Sequence, residues 1–470
     1  MLIQPRGLRS LPVLATLLSG IALVGCNSDS SSSSDDDADP GTSPPELPED
    51  VIRPLVFVHG GAGSAAQYMS QAMRFSANGY PEDYIYAFEY PGVAPHNPAE
   101  LDAFIDNVLA ETGEDQVYLI AHSMGTFVGY EGPLSAAIPS YTGYLMVPEY
   151  AAKVAKYVGL DGRTAETCPG DVPCLGIFDA DDGRSLGDNN AYLEDQEHVE
   201  TATSARSFAL QFGFLTGEEP TYTRIVEQDG PVSISGRAVI FPDNTGTGGA
   251  TVEIWPVDPD TGMRSAQTPV ETYSIGADGQ WGPAELSPDQ HYEMTLIRDG
   301  HSDLHFYLQA FPRNTRFVRL NASDTGSQIL ANTHTGPDHS TLVVTRQREW
   351  IADAPDGERD ELWISTASPQ WGDQDPVNAI VEGVINSNIG LHIHDDESTP
   401  AHSSLELLDW FPDQPFQSGI DVYMPATDEP DGTITLHSVP HGNGEAEQVI
   451  NVPNWPSDSD RISVQFNDWW

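Results

Sequence analysis

A chain of 470 residues, 39% of them hydrophobic, is too long for one ordinary core and too apolar for an unfolded polymer, so two or three domains are expected. The 71 acidic residues against 20 Lys and Arg give a formal net charge of −51, which repels nucleic-acid phosphates and anionic lipid head groups and excludes nucleic acid as a partner. The acid is spread along the whole chain, as on a surface solvated for salty surroundings, and Lys153 and Lys156 are the only lysines.

In chain order, Arg6 and Arg9 precede an apolar run, residues 11–24, that is too short to span a membrane; this is the pattern of an export signal. Leu23-Val24-Gly25-Cys26 resembles the lipobox of bacterial lipoproteins, so residues 1–26 are expected to be a signal peptide and Cys26 the lipidated first residue of the mature protein. Asn27 is not the Asp that resembles an inner-membrane retention signal, which favours the outer membrane or cell surface, with the N-terminal lipid as the membrane contact. Residues 27–50 are mainly Ser, Asp and Pro and cannot bury a core, so they read as a tether. Cys168 and Cys174 then remain as a pair in an oxidising compartment, and a disulfide is expected. Zinc needs more thiolate or imidazole ligands than this stretch offers, so no metal is expected there.

Residues 51–220 alternate short β-rich runs with helical stretches, the pattern of an α/β domain on a mostly parallel sheet. Strands are predicted at 55–58, 84–89, 117–120, 157–160 and 175–178, and helices at 64–78, 97–110, 150–156 and 204–216. Beyond residue 221 the texture becomes all-β, a sandwich or barrel-like half, with one set of strands over 221–330 and a second over 331–470.

Ala121-His122-Ser123-Met124-Gly125 follows the strand at 117–120 and precedes a helix-compatible segment, which is the strand, turn and helix of a nucleophile elbow. The turn strains the serine backbone, and the small Ala121 and Gly125 are what such a turn requires. A serine hydroxyl is a weak nucleophile, so hydrolysis needs an imidazole base, a carboxylate to orient it and donors for the oxyanion. His59-Gly60-Gly61-Ala62-Gly63 resembles the H-G-x-x-G loop of lipases and esterases; the N–H groups of Gly61 and Met124 are the expected oxyanion donors. His198, between the last α/β strand and the closing helix, is the expected base. The acid is open at this point, since Asp161 ends one strand and Asp179, Asp181 and Asp182 follow the next. The latter cluster also has a calcium reading, although it lacks the bidentate Glu at the twelfth loop position.

These residues resemble the two-domain archaeal and bacterial lipases, in which an α/β-hydrolase half precedes a C-terminal β half that helps hold lipid. The resemblance runs through Val56-Phe57-Val58-His59-Gly60, Met73-Arg74-Phe75, residues 121–127, Leu160-Asp161-Gly162, His198-Val199 and Val464-Gln465-Phe466-Asn467-Asp468. It implies Ser123 as nucleophile, Asp161 rather than Asp182 as acid and His198 as base, in a cofactor-free monomer acting on ester or lipid substrates. It also implies a large lid before the elbow, where this chain has only residues 91–98; residues 131–148 are a candidate short flap instead. A non-catalytic lipid-binding or adhesion lipoprotein with a vestigial hydrolase fold is the alternative class.

His392 and His394, two apart on one strand face, have a metal reading together with His402 or His437, weighed against incidental histidines on an exposed strand. Trp455, Trp469 and Trp470 are expected to be core rather than ligand contacts.

Overall fold

The computed structural model describes residues 45–470 apart from 137, 325, 353–358, 370–371, 382–383, 385–387, 397–403, 412–415, 442–446, 468 and 470. The expected signal peptide, Cys26 and most of the tether lie outside the described residues, as do His402, Asp468 and Trp470.

The α/β part comprises β1 (Leu55–Val58), α1 (Met69–Ala77), β2 (Ile85–Phe88), α2 (Pro98–Thr112), β3 (Val117–His122), the short pair β4 (Glu131–Gly132) and β5 (Tyr141–Thr142), α3 (Pro148–Ala151), β6 (Val154–Leu160), β7 (Cys174–Phe178), β8 (Asn190–Tyr192), α4 (Glu200–Thr203) and α5 (Ala205–Thr216). Six strands form one parallel sheet in the order β2-β1-β3-β6-β7-β8. Strands β1 and β3 are buried at every position, as a sheet covered on both faces demands. Helix boundaries follow local chemistry. The Asn97 side chain accepts from Ala99 N at 3.0 Å and Pro98 opens α2, which ends at the left-handed Gly113; Ser204 caps α5 in the same way, and Gly217 ends it.

Two segments differ from the sequence expectation. Residues 154–156 are strand and not helix, so β6 begins three residues early; Lys156 Nζ donates to the carbonyls of Phe214 and Leu215, both at 2.8 Å, and ties the strand to α5. A sixth strand, β8, extends the sheet beyond β7, although its half-buried three residues show no apolar run.

The β half contains β9 (Val232–Ile240), β10 (Thr245–Gly246), β11 (Thr251–Pro256), β12 (Glu271–Ser274), β13 (Gln280–Leu286), β14 (Tyr292–Ile297), β15 (Asp303–Leu308), β16 (Thr315–Ala322), the helical turn α6 (Gln328–Ala331), β17 (Leu342–Trp350), β18 (Glu361–Ser368), β19 (Gly372–Asp373), β20 (Val377–Asn378), β21 (Asn388–His394), β22 (Gln417–Asp421), β23 (Thr433–Val439), β24 (Gln448–Pro453) and β25 (Asp460–Phe466). An eight-stranded sheet, β12-β11-β14-β15-β25-β17-β21-β22, takes strands from both sides of residue 330, because β25 lies between β15 and β17 and pairs in parallel with each. Smaller sheets, β9 with β10, β13 and β16, and β18 with β19, β20, β23 and β24, complete the half. One apolar cluster runs from Phe57, Phe75 and Phe212 of the α/β part into Ile234, Val318 and Leu320, so the two halves share a core. Among the described residues no helix is long and apolar enough to cross a membrane.

Candidate active site

Strand β3 ends at His122, and Ser123 follows with φ of 50°, a left-handed conformation uncommon for a residue with a Cβ. Residues Ser123–Gly129 then coil as a 3₁₀ helix rather than an α-helix. The elbow requires Gly125, since a Cβ there would lie 2.4 Å from the Val58 carbonyl oxygen. The glycine-rich loop after β1 approaches as closely: a Cβ at Gly60 would stand 2.8 Å from His122 Nδ1 and 3.1 Å from Ser123 Cβ. Gly61 lies beside the Met124 side chain, and Met124 lies in the first turn of the 3₁₀ helix, where N–H groups have no intrahelical acceptor.

The structure brings Ser123, His198 and Asp161 together. His198 Nε2 is 2.8 Å from Ser123 Oγ, and its Nδ1 is hydrogen-bonded to Asp161 Oδ2. A carboxylate on Nδ1 requires that nitrogen to carry the proton, leaving Nε2 to accept from the serine hydroxyl. Asp161 is 4% exposed and also has a positive φ, 36°. The next residue must be glycine, because a Cβ at Gly162 would sit 2.2 Å from Thr126 Oγ1. That hydroxyl donates to Ser123 O at 2.6 Å and accepts from Arg163 N at 2.7 Å, latching the elbow to the end of β6.

Asp182 stands elsewhere. Its side chain is 53% exposed and meets Arg184 Nε at 3.0 Å, not His198. Arg184 gathers three carboxylates: Nη1 is 2.6 Å from Asp161 Oδ1, Nη2 pairs with Asp179 and Nε with Asp182. The acidic cluster with the calcium reading thus holds a guanidinium. Burial raises the Asp161 carboxyl, but His198 and Arg184 outweigh it and hold it down at about 2. Burial likewise opposes charge on His198, yet the hydrogen bond and negative charge of Asp161 raise its pKa above the ordinary histidine value.

The other two histidines of the motifs are neutral supports. Burial lowers His122 to about 3; its Nδ1 accepts from Gln67 Nε2 at 2.6 Å and its Nε2 donates to His198 O at 2.9 Å. Gln67 Oε1 also accepts from Gly60 N at 3.1 Å, so one amide joins the glycine loop to His122, which in turn holds the His198 carbonyl. Burial lowers His59 to about 4; it stacks on Tyr90 with ring centroids 4.1 Å apart and donates to Gly60 O at 2.8 Å.

Residues of the β half hold both walls of the site. Asn244 Nδ2 donates to Gly63 O at 2.9 Å and Tyr90 O at 2.8 Å, while Arg319 Nη1 donates to Ala62 O at 3.2 Å. On the other wall, Glu349 of β17 accepts from Val199 N and from Glu200 N at 3.1 Å, just beyond His198. Burial pushes the Glu349 carboxyl up to about 7. Gln67, Arg184, Asn244, Arg319 and Glu349 carry no motif in the sequence, and the last three reach the site from 150 to 257 residues away.

A cavity of about 450 Å³ opens over Ser123 and His198 and is roofed by the β half, through Phe241, Leu304, Phe306, Ile329 and Phe416 among others. None of the described residues of 131–148 lines it. That excursion instead folds as the β4-β5 hairpin, with Tyr141 Oη donating to His96 O at 3.0 Å and Tyr141 packed edge-on against Phe127. Cys168 and Cys174 form a disulfide in the loop before β7.

The histidine pair of β21 is buried rather than exposed: His392 Nε2 meets Gln417 Oε1 at 2.8 Å, and the ring stacks on Phe411. His437 lies on β23 of another sheet, against Glu447 at 3.1 Å, so the structure does not bring it to His392 and His394. Trp455 stacks on His305 with centroids 4.1 Å apart, and Trp469 packs against Phe311.

Residues 52–168 match the family model described as lipase (class 2), residues 230–325 the lipase C-terminal domain, and residues 328–470 a further C-terminal domain model. Among solved structures, the lipase BlEst2 of Bacillus licheniformis in its propeptide form is similar at 10% identity over 88% of this chain and 97% of its own, with a TM-score of 0.27. The Listeria innocua lin2722 product is similar at 13% identity over 37% of this chain and 97% of its own, TM-score 0.25. A predicted CIB-like hydrolase from Thermoplasma acidophilum is similar at 17% identity over 28% of this chain and 64% of its own, TM-score 0.19. The chain thus carries segments that match a class 2 lipase domain, a lipase C-terminal domain and a further C-terminal domain, in that order, which supports a lipase or esterase hydrolase.

Proposed function

We propose that the protein is a serine carboxylic-ester hydrolase that works through an acyl-enzyme on Ser123. The observation that carries the reading is the relay from Ser123 Oγ through His198 Nε2, at 2.8 Å, to Asp161 on the far side of the imidazole. As Ser123 Oγ attacks the ester carbonyl carbon, its proton passes to Nε2 and the carbonyl oxygen becomes an oxyanion facing the N–H groups of Gly61 and Met124. Collapse expels the alcohol, which takes the proton from Nε2. Water then gives a proton to the same nitrogen as it attacks the acyl carbon, and the acid departs as Ser123 regains its hydrogen. Asp161, held at about 2, stays ionised throughout and stabilises the imidazolium.

The cavity of about 450 Å³ is sized for a small ligand, and none of the described residues of the hairpin at 131–148 lines it. Both features support short or soluble esters over long-chain glycerides. Ser123→Ala is expected to lower turnover of p-nitrophenyl butyrate by about 10⁴-fold or more and to abolish labelling by a fluorophosphonate. Retained turnover or labelling would overturn the assignment. A wild-type protein that takes no label would favour the non-catalytic binding lipoprotein instead.

The charged and apolar N-terminal run, the lipobox and the Ser/Asp tether support an exported bacterial lipoprotein held at the outer membrane through Cys26. Metabolic incorporation of palmitate, lost in Cys26→Ala, is the expected result; incorporation that survives the substitution rejects it.

A further inference from the structure

The cavity over Ser123 has the opposite charge character to the rest of the molecule. The chain carries 71 acidic residues against 20 Lys and Arg, yet four arginines, Arg298, Arg319, Arg346 and Arg461, line the cavity, and among the described residues no Asp or Glu does. Arg346 has a counter-ion in Asp360 at 2.8 Å. The other three meet only uncharged oxygens among the described residues. Arg298 Nη1 donates to Ser323 O at 3.1 Å; Arg319 donates to Ala62 O at 3.2 Å and to the Asn244 side chain; Arg461 Nη1 donates to the carbonyls of Ser457 and, at 3.0 Å, Asp460.

On all three, Nε is buried without a hydrogen-bond partner among the described residues. Carbonyl oxygens use some of a guanidinium's five donors without carrying the opposite charge, and the carboxylates that act on these arginines, Asp324 on Arg298, Glu89 on Arg319 and Asp460 with Asp458 on Arg461, do not offset the cost of burial. Burial accordingly lowers the pKa of each, that of Arg319 to about 10. The lining is mainly apolar, but Ser463, Gln465, Thr345 and Gln417 stand among its residues. An all-hydrocarbon chain would leave the three guanidinium Nε groups unpaired, whereas an anion with accepting oxygens would supply both an opposite charge and acceptors.

We propose that the ester cleaved at Ser123 carries a carboxylate or phosphate on its acyl or alcohol part, seated against Arg298, Arg319 and Arg461. This rests on the reading of Ser123 as nucleophile and adds the class of substrate.

The test is a set of paired kcat/KM ratios, each taken within one protein so that differences in folded fraction cancel. One arm compares p-nitrophenyl hydrogen glutarate with p-nitrophenyl butyrate; the other compares 1-butyrylglycerol 3-phosphate with 1-butyrylglycerol in a pH-stat. The wild type is expected to favour the anion by about tenfold or more in at least one arm, the magnitude of a charge-assisted hydrogen bond, and the favoured arm identifies carboxylate or phosphate. Arg298→Gln and Arg461→Gln are each expected to lower that ratio by about tenfold. Arg206→Gln, an exposed residue paired with Asp195, should leave it unchanged. A wild-type ratio of one or below in both arms, or a ratio that survives both cavity substitutions, overturns the proposal while leaving the nucleophile in place. Turnover retained by Ser123→Ala would instead overturn the reading on which it rests.

Discussion

Two histidines in this molecule are bracketed by carboxylates and an arginine, and they differ in one nitrogen. His198 has Asp161 on Nδ1 and keeps Nε2 for Ser123 Oγ at 2.8 Å. His305, in β15 of the eight-stranded sheet, has Glu293 on Nδ1 at 2.6 Å and Asp460 on Nε2 at 2.7 Å, with Arg264 closing on Glu293. Only 2% of His305 is exposed and Trp455 stacks on it, whereas 29% of the His198 side chain is open to the cavity side. A histidine beside an acid is therefore not enough for catalysis. With both nitrogens on carboxylates the imidazole is locked as a structural cation; with one left over beside a hydroxyl it can carry protons.

Breaking each cluster separates the two roles. The largest effect on catalysis is expected for Asp161→Asn, which keeps the shape but presents the wrong partner to Nδ1: kcat should fall by about 10⁴-fold, while the lost ion pair with Arg184 also lowers the thermal midpoint. A loss below about tenfold would mean that His198 does not depend on Asp161 for its tautomer. Glu293→Gln should act on stability instead, costing about 3–5 kcal/mol by leaving Arg264 and His305 buried with one charge fewer, while the folded fraction keeps its kcat.

That cluster also shapes the pH dependence of stability. Glu293 is held down at about 2, so its contribution is complete above about pH 4.5 and drains away as the pH falls towards 2. His305 is raised above its ordinary value, so its contribution is complete below about pH 6.5 and is lost as the pH rises through the raised pKa. Denaturant midpoints across this range should fall on both sides for the wild type and flatten for Glu293→Gln; equal curves would show that the cluster is not the source. The smallest effect is reserved for Asp182→Asn, whose exposed carboxylate meets only Arg184 among the described residues: kcat should stay within about twofold. A large loss there would move the acid's role from Asp161 to Asp182.

Much of the α/β part was legible because its signals are local. Buried four-residue runs such as Leu55–Val58, the cap at Asn97 with Pro98, and the left-handed stops at Gly113 and Gly217 act within a few residues of themselves. The elbow was legible for the same reason, since Gly125 and the strained Ser123 are adjacent to the strand that presents them. Residues 154–156 misled because Ala-rich composition favours helix locally, while pairing with β3 and the hold of Lys156 on α5 are non-local. The burial of His392 was hidden likewise, because alternation shows which residues share a face but not what covers it.

The sequence by itself determined the chemistry on offer: one strained serine, a glycine loop, a histidine in the right place in the order, and a choice of carboxylates. Only the tertiary structure decided which carboxylate turns towards His198, because Asp161 and Asp182 both follow strands and differ only in where their side chains can reach. The tertiary structure also decided that the site is walled by residues remote in the chain. Asn244, Arg319 and Glu349 reach it through docking of the β half, and four arginines scattered over more than one sheet gather on one cavity in an otherwise acidic protein. Charge composition is a sum over the chain, whereas a binding site is set by which few charges the fold brings together and shields from water.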